Sequence, residues 1–524
     1  MKKTENITTA ALLLASSILL SRILGYLREM LLAYKFGASA TTDAFYAAFQ
    51  IPDLLNYFLA GGALSIAFIP LYNRVLAKNG EKAAHDLMAN VLGTLGLIVV
   101  IMTALLWVNA EALVRFQFPK FDNDTVALTV WLTRIVLPAQ IFFITGGILQ
   151  AVLLAHKNFH AAALAPLIYN TCTILGGYFL YPFFGIAGFA IGTLAGSVLG
   201  PFLMPILFSF RHIPIRLRVR PRERDFVVYL AMAAPLMFGQ TLLTLDEWYG
   251  RWFGAMLTTG SVAHISYARR LMQVPIAVIG QAVGAAALPT LAKLWAEDKV
   301  DELNKTLLQT LKTGLALSVL AGAAFFAAAR PIVGLVYEHG AFTRDDSFVV
   351  SALTAIFAFA IPGWILQQIS IRGFYARGDT WRPMVLGTVL SVAVIPLYMF
   401  LAHTQGVDGL ALAGAIGMTL NAVATLAFAY HLHKAPELKP LLNVFIKTLG
   451  IAIPAIVAAK TAIWLREMIA PMDGWQHKYI ALGDLCLAGA AFGIIALPAV
   501  FLFGEEGLRQ YCRKIMRRLT GLAV

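Results

Sequence analysis

Arg22, Arg28, Glu29, Asp43 and Asp53 are charged residues set in hydrophobic surroundings in the stretch SRILGYLREMLLAYKFGASATTDAFYAAFQIPDLLNYFLAGG, at 21–62. The stretch reads as the end of one hydrophobic helix, a tight Gly-Ala-Ser turn and a second helix. A charge at the centre of a bilayer costs ~2.5–3.5 kcal/mol on insertion scales, so such residues are expected to face an internal cavity. On the first helix Ser21, Gly25 and Arg28 fall at i, i+4 and i+7, with Arg22, Tyr26 and Glu29 as the adjacent stripe. On the second, Asp43, Tyr46, Gln50, Asp53 and Tyr57 make one stripe that ends at Gly61. Later helices offer Asp246, Glu247 and Arg251, and then Ser266, Arg270, Gln273 and Gln281. The cations Arg22, Arg28, Arg251, Arg269 and Arg270 present planar forks that match phosphate oxygens bidentately. Such a set suits a diphosphate or similar anion, with Ser21, Gln50 and Gln273 as neutral contacts. The alternative is local pairing, Arg28 with Glu29 or Asp43 and Arg251 with Glu247. Arg22, Arg269, Asp43, Glu29 and Asp53 are the candidates for gates or ion pairs.

These side chains need helices long enough to hold them in a membrane. The chain has 524 residues, of which 59% are hydrophobic and 13% charged. Its mean hydropathy is +0.74. That balance excludes a soluble domain and predicts an all-α polytopic membrane protein. At about 20 apolar residues per crossing the chain divides into about fourteen transmembrane helices. They are expected at 8–35, 41–76, 83–109, 124–155, 160–181, 185–210, 226–257, 261–296, 302–329, 347–376, 382–403, 407–433, 441–465 and 479–503. Runs such as LGTLGLIVVIMTALLWV (92–108) lack the alternation of a membrane barrel. Pro52 with Gly61-Gly62, and Pro275 with Gly280 and Gly284, mark the expected bends.

The formal charge of +13 is concentrated in alternate loops and in the last segment, as at Arg74, Lys78 and Lys82, Arg211 to Arg224, and Arg509 to Arg518. This positive-inside pattern predicts a multi-pass protein with both termini cytoplasmic. The partners it implies are anionic membrane lipids, not nucleic acid. The first span is expected to be retained, since no small-residue cleavage site follows its apolar run.

An internal repeat runs at a constant offset. Tyr26, Arg28, Gly37, Gln50, Pro52 and Gly61 match Tyr249, Arg251, Gly260, Gln273, Pro275 and Gly284, all 223 residues on. The expected organisation is two parallel six-helix repeats, 1–220 and 221–440, followed by two C-terminal helices at 441–503 and a basic amphipathic cytoplasmic tail at 504–524. Parallel repeats place a site between the halves. The stretch RHIPIRLRVRPRER (211–224) reads as a solvated, topology-fixing linker.

Other chemistries find no support. Cys172, Cys486 and Cys512 have neither disulfide nor metal-ligand spacing, and the histidines show none. Asn170 reads as a helix–helix hydrogen-bond donor. There is no phosphate loop and no nucleophile-plus-base arrangement, so no catalytic residue, metal or cofactor is expected. Energy must then come from an ion gradient such as that of a monovalent cation, from the membrane potential or from the substrate gradient.

SRILGYLREMLLAYKFG, TTDAFYAAFQIPDLL, GALSIAFIPLY, ISYARRLMQVP, EHGAFT and GFYARGDTWRP occur in an order and spacing that resembles the MurJ (MviN) lipid II flippases. The resemblance covers about 1–440. It implies the fold of the multidrug/oligosaccharidyl-lipid/polysaccharide (MOP) exporter superfamily, in the bacterial cytoplasmic (inner) membrane. It implies no enzyme activity but movement of an undecaprenyl-diphosphate-linked peptidoglycan precursor, a lipid-linked anionic glycan, to the periplasmic leaflet by alternating access. The process would be peptidoglycan biosynthesis, hence cell-wall biogenesis and cell shape, with the cell-wall synthesis machinery as a candidate partner. The last two helices would form a groove for the lipid tail. By position Ser21, Arg22, Arg28, Asp43 and Arg270 match the family's functional polar residues. The chain departs from the pattern at Asn56, where the family has Arg, at Gly61 and Gln273, where it has acids, and at Asp53, where it has Asn. Arg251, Arg269 and Asp53 partly offset these changes. An exporter of another lipid-linked glycan or a small molecule, and a membrane scaffold, are the competing expectations.

Overall fold

A computed structural model describes residues 7–60, 67–209, 213–243, 245–469, 477–510 and 512–513. The expected hinge at Gly61-Gly62 and most of the basic tail lie outside the described residues. All regular elements within them are helical. The first thirteen are α1 (Ile7–Phe36), α2 (Ala40–Ala48), α3 (Gln50–Ala60), α4 (Ile69–Val108), α5 (Ala110–Gln117), α6 (Asn123–Val136), α7 (Ala139–Ala155), α8 (His160–Phe179), α9 (Tyr181–Phe184), α10 (Ala187–Ser197), α11 (Met204–Ser209), α12 (Arg224–Leu243) and α13 (Leu245–Gly254). Then come α14 (Ser261–Pro275), α15 (Ala282–Ala296), α16 (Val300–Val336), α17 (Arg344–Ala358), α18 (Ala360–Ala376), α19 (Trp381–Ala393), α20 (Ile395–His433), α21 (Leu438–Ile469) and α22 (His477–Phe503).

Seven described helical stretches are long and apolar enough to cross a membrane, or eight if α17 and α18, bent by 43°, count as one span. Fourteen crossings are compatible with this set. Trp381–His433 is 53 residues long and turns at Gly406, whose φ is 59°. Likewise α4 joins the end of one span to the next across Gly80, at φ 80°. The described residues of the spans expected at 8–35, 160–181, 226–257 and 261–296 are also helical, and with α2 and α3 they hold most of the candidate polar residues.

The second expected span is broken earlier than its glycines. Pro52 has no N–H, so the Ala48 carbonyl loses its helical donor. Thr133 Oγ1 on α6 donates to that carbonyl instead, at 3.3 Å. The chain turns at Phe49 and restarts as α3. At the repeat-related Pro275, a π-helical turn, Ile276–Gln281, follows.

By packing, the chain forms two compact units, Met1–Ala263 and His264–Val524. The packing boundary falls beyond the repeat boundary because α12 buries its face within the first unit. Phe226, Tyr229, Ala233 and Met237 share a core with Phe68, Tyr72, Leu87 and Val91. In the same unit α8 meets α10 and the π-helical turn after it, Val198–Leu203, through glycines spaced four apart. A Cβ on Gly188, Gly192, Gly196 or Gly200 would lie 2.5–2.8 Å from the carbonyl oxygens of Gly176, Cys172, Tyr169 and Ala165 respectively. Small residues at this spacing let helix backbones approach closely in a membrane.

In the second unit α21 and α22 are joined by Arg466, whose Nε donates to Asp484 Oδ1 at 2.7 Å. A cavity of about 770 Å³ lies among α16, α18, α20 and α21. Its walls are Leu, Val, Phe and Ala, with Lys439 at one end, and α22 does not line it.

Candidate functional site

In the first unit α1 and α2 build a buried polar cluster. Arg28 Nη2 donates to Glu29 Oε1 at 2.8 Å, and Glu29 is only 3% exposed. Tyr46 Oη, from α2, donates to the other carboxylate oxygen at 2.6 Å. A buried carboxylate needs its lone pairs satisfied, and these two donors do so. Of the two local partners open to Arg28, the structure brings Glu29 to it.

Arg251 behaves differently from the expectation. Its Nη1 meets Asp53 Oδ2 on α3 at 3.0 Å, not Glu247 one turn back on α13. The pair is half-buried, with Asp53 31% exposed and Arg251 18%. The physical reason is reach: Arg251 sits in the last turn of α13, and its side chain leaves that helix for α3. Arg28 and Arg251, repeat mates at offset 223, are therefore each paired with a carboxylate. An oxyanion could replace either carboxylate on the guanidinium.

Asp43, on the first turn of α2, is 3% exposed. Its two oxygens accept from the backbone N–H of Gly260 at 2.6 Å and of Ala263 at 2.8 Å. This places a carboxylate on the N-terminus of α14, where unpaired N–H groups and the helix dipole favour an anion. Gly37 and Gly260, also repeat mates, both take left-handed φ, 59° and 89°. Only glycine adopts such turns without strain.

Ser21 is held from α8: Asn170 Nδ2 donates to its Oγ at 3.1 Å and to its carbonyl at 3.3 Å. Asn170 is the helix–helix donor expected of it. Arg22 is half-buried on α1. Asn56 Nδ2 donates to Gln140 Oε1 at 2.7 Å, a neutral pair at the position where the family motif carries Arg. Gln50 is buried, and its Oε1 has no hydrogen-bond partner among the described residues.

In the second unit Arg270 Nη1 donates to Gln273 Oε1 at 3.3 Å. Arg269 is buried with its guanidinium carbon 5.5 Å from the centre of the Phe357 ring. Sequence reasoning missed two contacts. One is Gln140, a visible amide in the first turn of α7. The other is His264 Nε2 at 2.8 Å from Asp346 Oδ1, which no local spacing signals. Asp346 also completes a capping box with Thr343 at the start of α17. The three cysteines are free.

Arg28–Glu29 on α1 and Arg251–Asp53 between α13 and α3 are guanidinium–carboxylate pairs of the first unit, and each guanidinium presents donors that suit an anion. A sequence model of the family described as "Lipid II flippase MurJ" matches residues 32–479. A probable lipid II flippase MurJ of Rhizobium tropici is 31% identical over 425 residues, 78% of each chain. The lipid II flippase MurJ of Burkholderia cenocepacia is 30% identical over 430 residues, covering 80% of this chain and 83% of its own. A solved lipid II flippase MurJ in an inward closed conformation superposes with a TM-score of 0.76 at 24% identity, over 93% of this chain and 99% of the other. An inward-facing multidrug resistance MATE transporter of the MOP superfamily superposes with a TM-score of 0.69 at 17% identity, over 79% and 94%. With its repeat, its broken helices and the match from residue 32 to 479, this polytopic chain belongs to the lipid II flippase MurJ family.

Proposed function

We propose that the protein moves lipid II, the undecaprenyl-diphosphate-linked peptidoglycan precursor, from the cytoplasmic to the periplasmic leaflet of the bacterial inner membrane by alternating access. Both termini are cytoplasmic in this reading, as the distribution of basic loops requires. The observation that carries it is the pair of repeat-related arginines, each on a carboxylate, Arg28 on Glu29 and Arg251 on Asp53. A diphosphate offers the same oxygen geometry as these carboxylates with more charge, so it competes for the guanidinium. The two sites are not equivalent. Glu29 is enclosed and held by Tyr46, whereas Asp53 is partly open. Arg251 is the cation that exchanges partners more readily, and Arg28 is the fixed one. The case for Arg22, Arg269 and Arg270 rests on their sequence positions, and coupling to a monovalent cation or the membrane potential supplies directionality. The apolar cavity along α21 supports a tail-binding role, with Lys439 as a contact at its end.

The test is complementation. A host depleted of its own flippase expresses this chain, and periplasmic lipid II is assayed directly. Wild type should restore it, while Arg28→Ala and Arg251→Gln should each lower transport about ten- to hundredfold, the worth of a charge-assisted hydrogen bond. Normal transport by both variants would remove these residues from the site. No transport by the wild type, at normal membrane levels, would remove the substrate.

A further inference from the structure

The basic stretch after α11 is not a loose linker. From Pro214 to Arg220 the chain has no regular secondary structure, and it is fastened to α4 along Asp86, Ala89, Asn90 and Gly93. The Arg218 N–H donates to the Ala89 carbonyl at 2.9 Å. The Arg220 N–H donates to Asn90 Oδ1 at 2.8 Å, and Asn90 Nδ2 returns bonds to the Arg220 carbonyl and to Glu223 Oε2, each at 3.0 Å. The Arg218 guanidinium pairs with Asp86 at 3.0 Å. Gly93 makes room, since a Cβ there would lie 2.1 Å from the Arg218 carbonyl oxygen.

Arg218 is tied to α4, while its neighbours Leu217 and Val219 are 73% and 52% exposed. Arg216, Arg220, Arg222 and Arg224 are exposed around them, and Arg74, Lys78 and Lys82 beside the Gly80 turn add further exposed cations. Depth follows from α4 itself. Trp107 lies near its far end, with the indole N–H on the Arg134 carbonyl and the Arg134 guanidinium over its ring, as at a membrane interface. Asp86 is 21 residues earlier on the same helix. At 1.5 Å per residue the Arg218–Asp86 pair sits about 31 Å from Trp107, one hydrocarbon thickness of about 30 Å.

We infer that residues 213–224 form a surface strap that docks on anionic phospholipid headgroups at this interface, with Leu217 and Val219 entering the acyl boundary. This goes beyond the transport reading and does not depend on it. The cations contribute attraction that salt screens, and the two apolar side chains find the burial that the protein denies them. An acidic protein partner would also suit the charge, but the strap's depth favours lipid.

The full chain, with its three cysteines replaced by alanine and Leu217→Cys labelled with an NBD fluorophore, is placed in nanodiscs of phosphatidylcholine alone or mixed with phosphatidylglycerol. Headgroup-proximal nitroxide lipids should quench the label about twofold more with phosphatidylglycerol, and half-molar salt or the R216Q/R220Q/R222Q/R224Q variant should abolish the difference. In parallel, native mass spectrometry of the unlabelled wild type should show phosphatidylglycerol retained over phosphatidylcholine, and the quadruple variant should lose that preference. A water-exposed label that ignores lipid composition, with no lipid preference in the wild type, would overturn the strap.

Discussion

Two arginines at repeat-related positions meet carboxylates of different character, and that difference decides what each can do. Asp53 is partly solvated, so its hold on Arg251 is weakened by screening and is reversible. Removing its charge leaves Arg251 free for an oxyanion. Asp53→Asn should therefore tighten binding of a prenyl diphosphate about tenfold and slow its release, as read by titration of the purified protein. Unchanged binding would mean that Arg251 does not exchange partners. Glu29 is the opposite case, enclosed and bonded by both Arg28 and Tyr46. Tyr46→Phe withdraws one donor from a carboxylate that stays buried, at a cost of about 1.5–3 kcal/mol. Its thermal unfolding in detergent should fall measurably below that of wild type, and an unchanged midpoint would show the bond to be dispensable.

Helices are where the sequence was most and least readable. Apolar runs located the long spans such as α4, α16 and α21, and Pro52 announced a break, because a missing N–H is a local property. Its place could not be read, since the break occurs at Phe49, where Thr133 from α6 takes over the Ala48 carbonyl. The partner of Arg251 was hidden for a similar reason. Glu247 at i−4 offered a local answer, while Asp53 lies 198 residues away. The glycines at 188, 192, 196 and 200 were in plain view at four-residue spacing, yet their meaning needs α8 opposite them. They yield a sharp expectation. Gly192→Leu should prevent α8 and α10 from docking, since even a Cβ would sit 2.6 Å from the Cys172 carbonyl and 2.9 Å from the Thr173 Cα. The variant should fail to elute as a single species in size exclusion. Gly192→Ala should fold but lose about 1–3 kcal/mol, the usual cost of overpacking. A fully stable Gly192→Leu protein would refute close backbone contact there.

For the molecule as a whole, the most consequential contact is the one between Asp43 and the start of α14. It ties the turn after the first helix to the turn that opens the eighth span, and both turns hinge on left-handed glycines, Gly37 and Gly260. The bond is electrostatic and short-ranged, so it forms or breaks as a unit. A carboxylate at a helix N-terminus with two N–H donors stabilises the tied arrangement by about 1–2 kcal/mol. If transport alternates between tied and released arrangements, that energy biases the equilibrium about tenfold. Asp43→Ala should then raise the rate at which a membrane-impermeant maleimide labels a cysteine at Ser39 by about tenfold in intact cells. Asp43→Asn should give an intermediate value, because the amide keeps one acceptor oxygen but loses the charge. Transport should fall in both, since a carrier that dwells open on one side completes fewer cycles. Equal labelling in wild type and Asp43→Ala would show that this contact caps a helix and gates nothing.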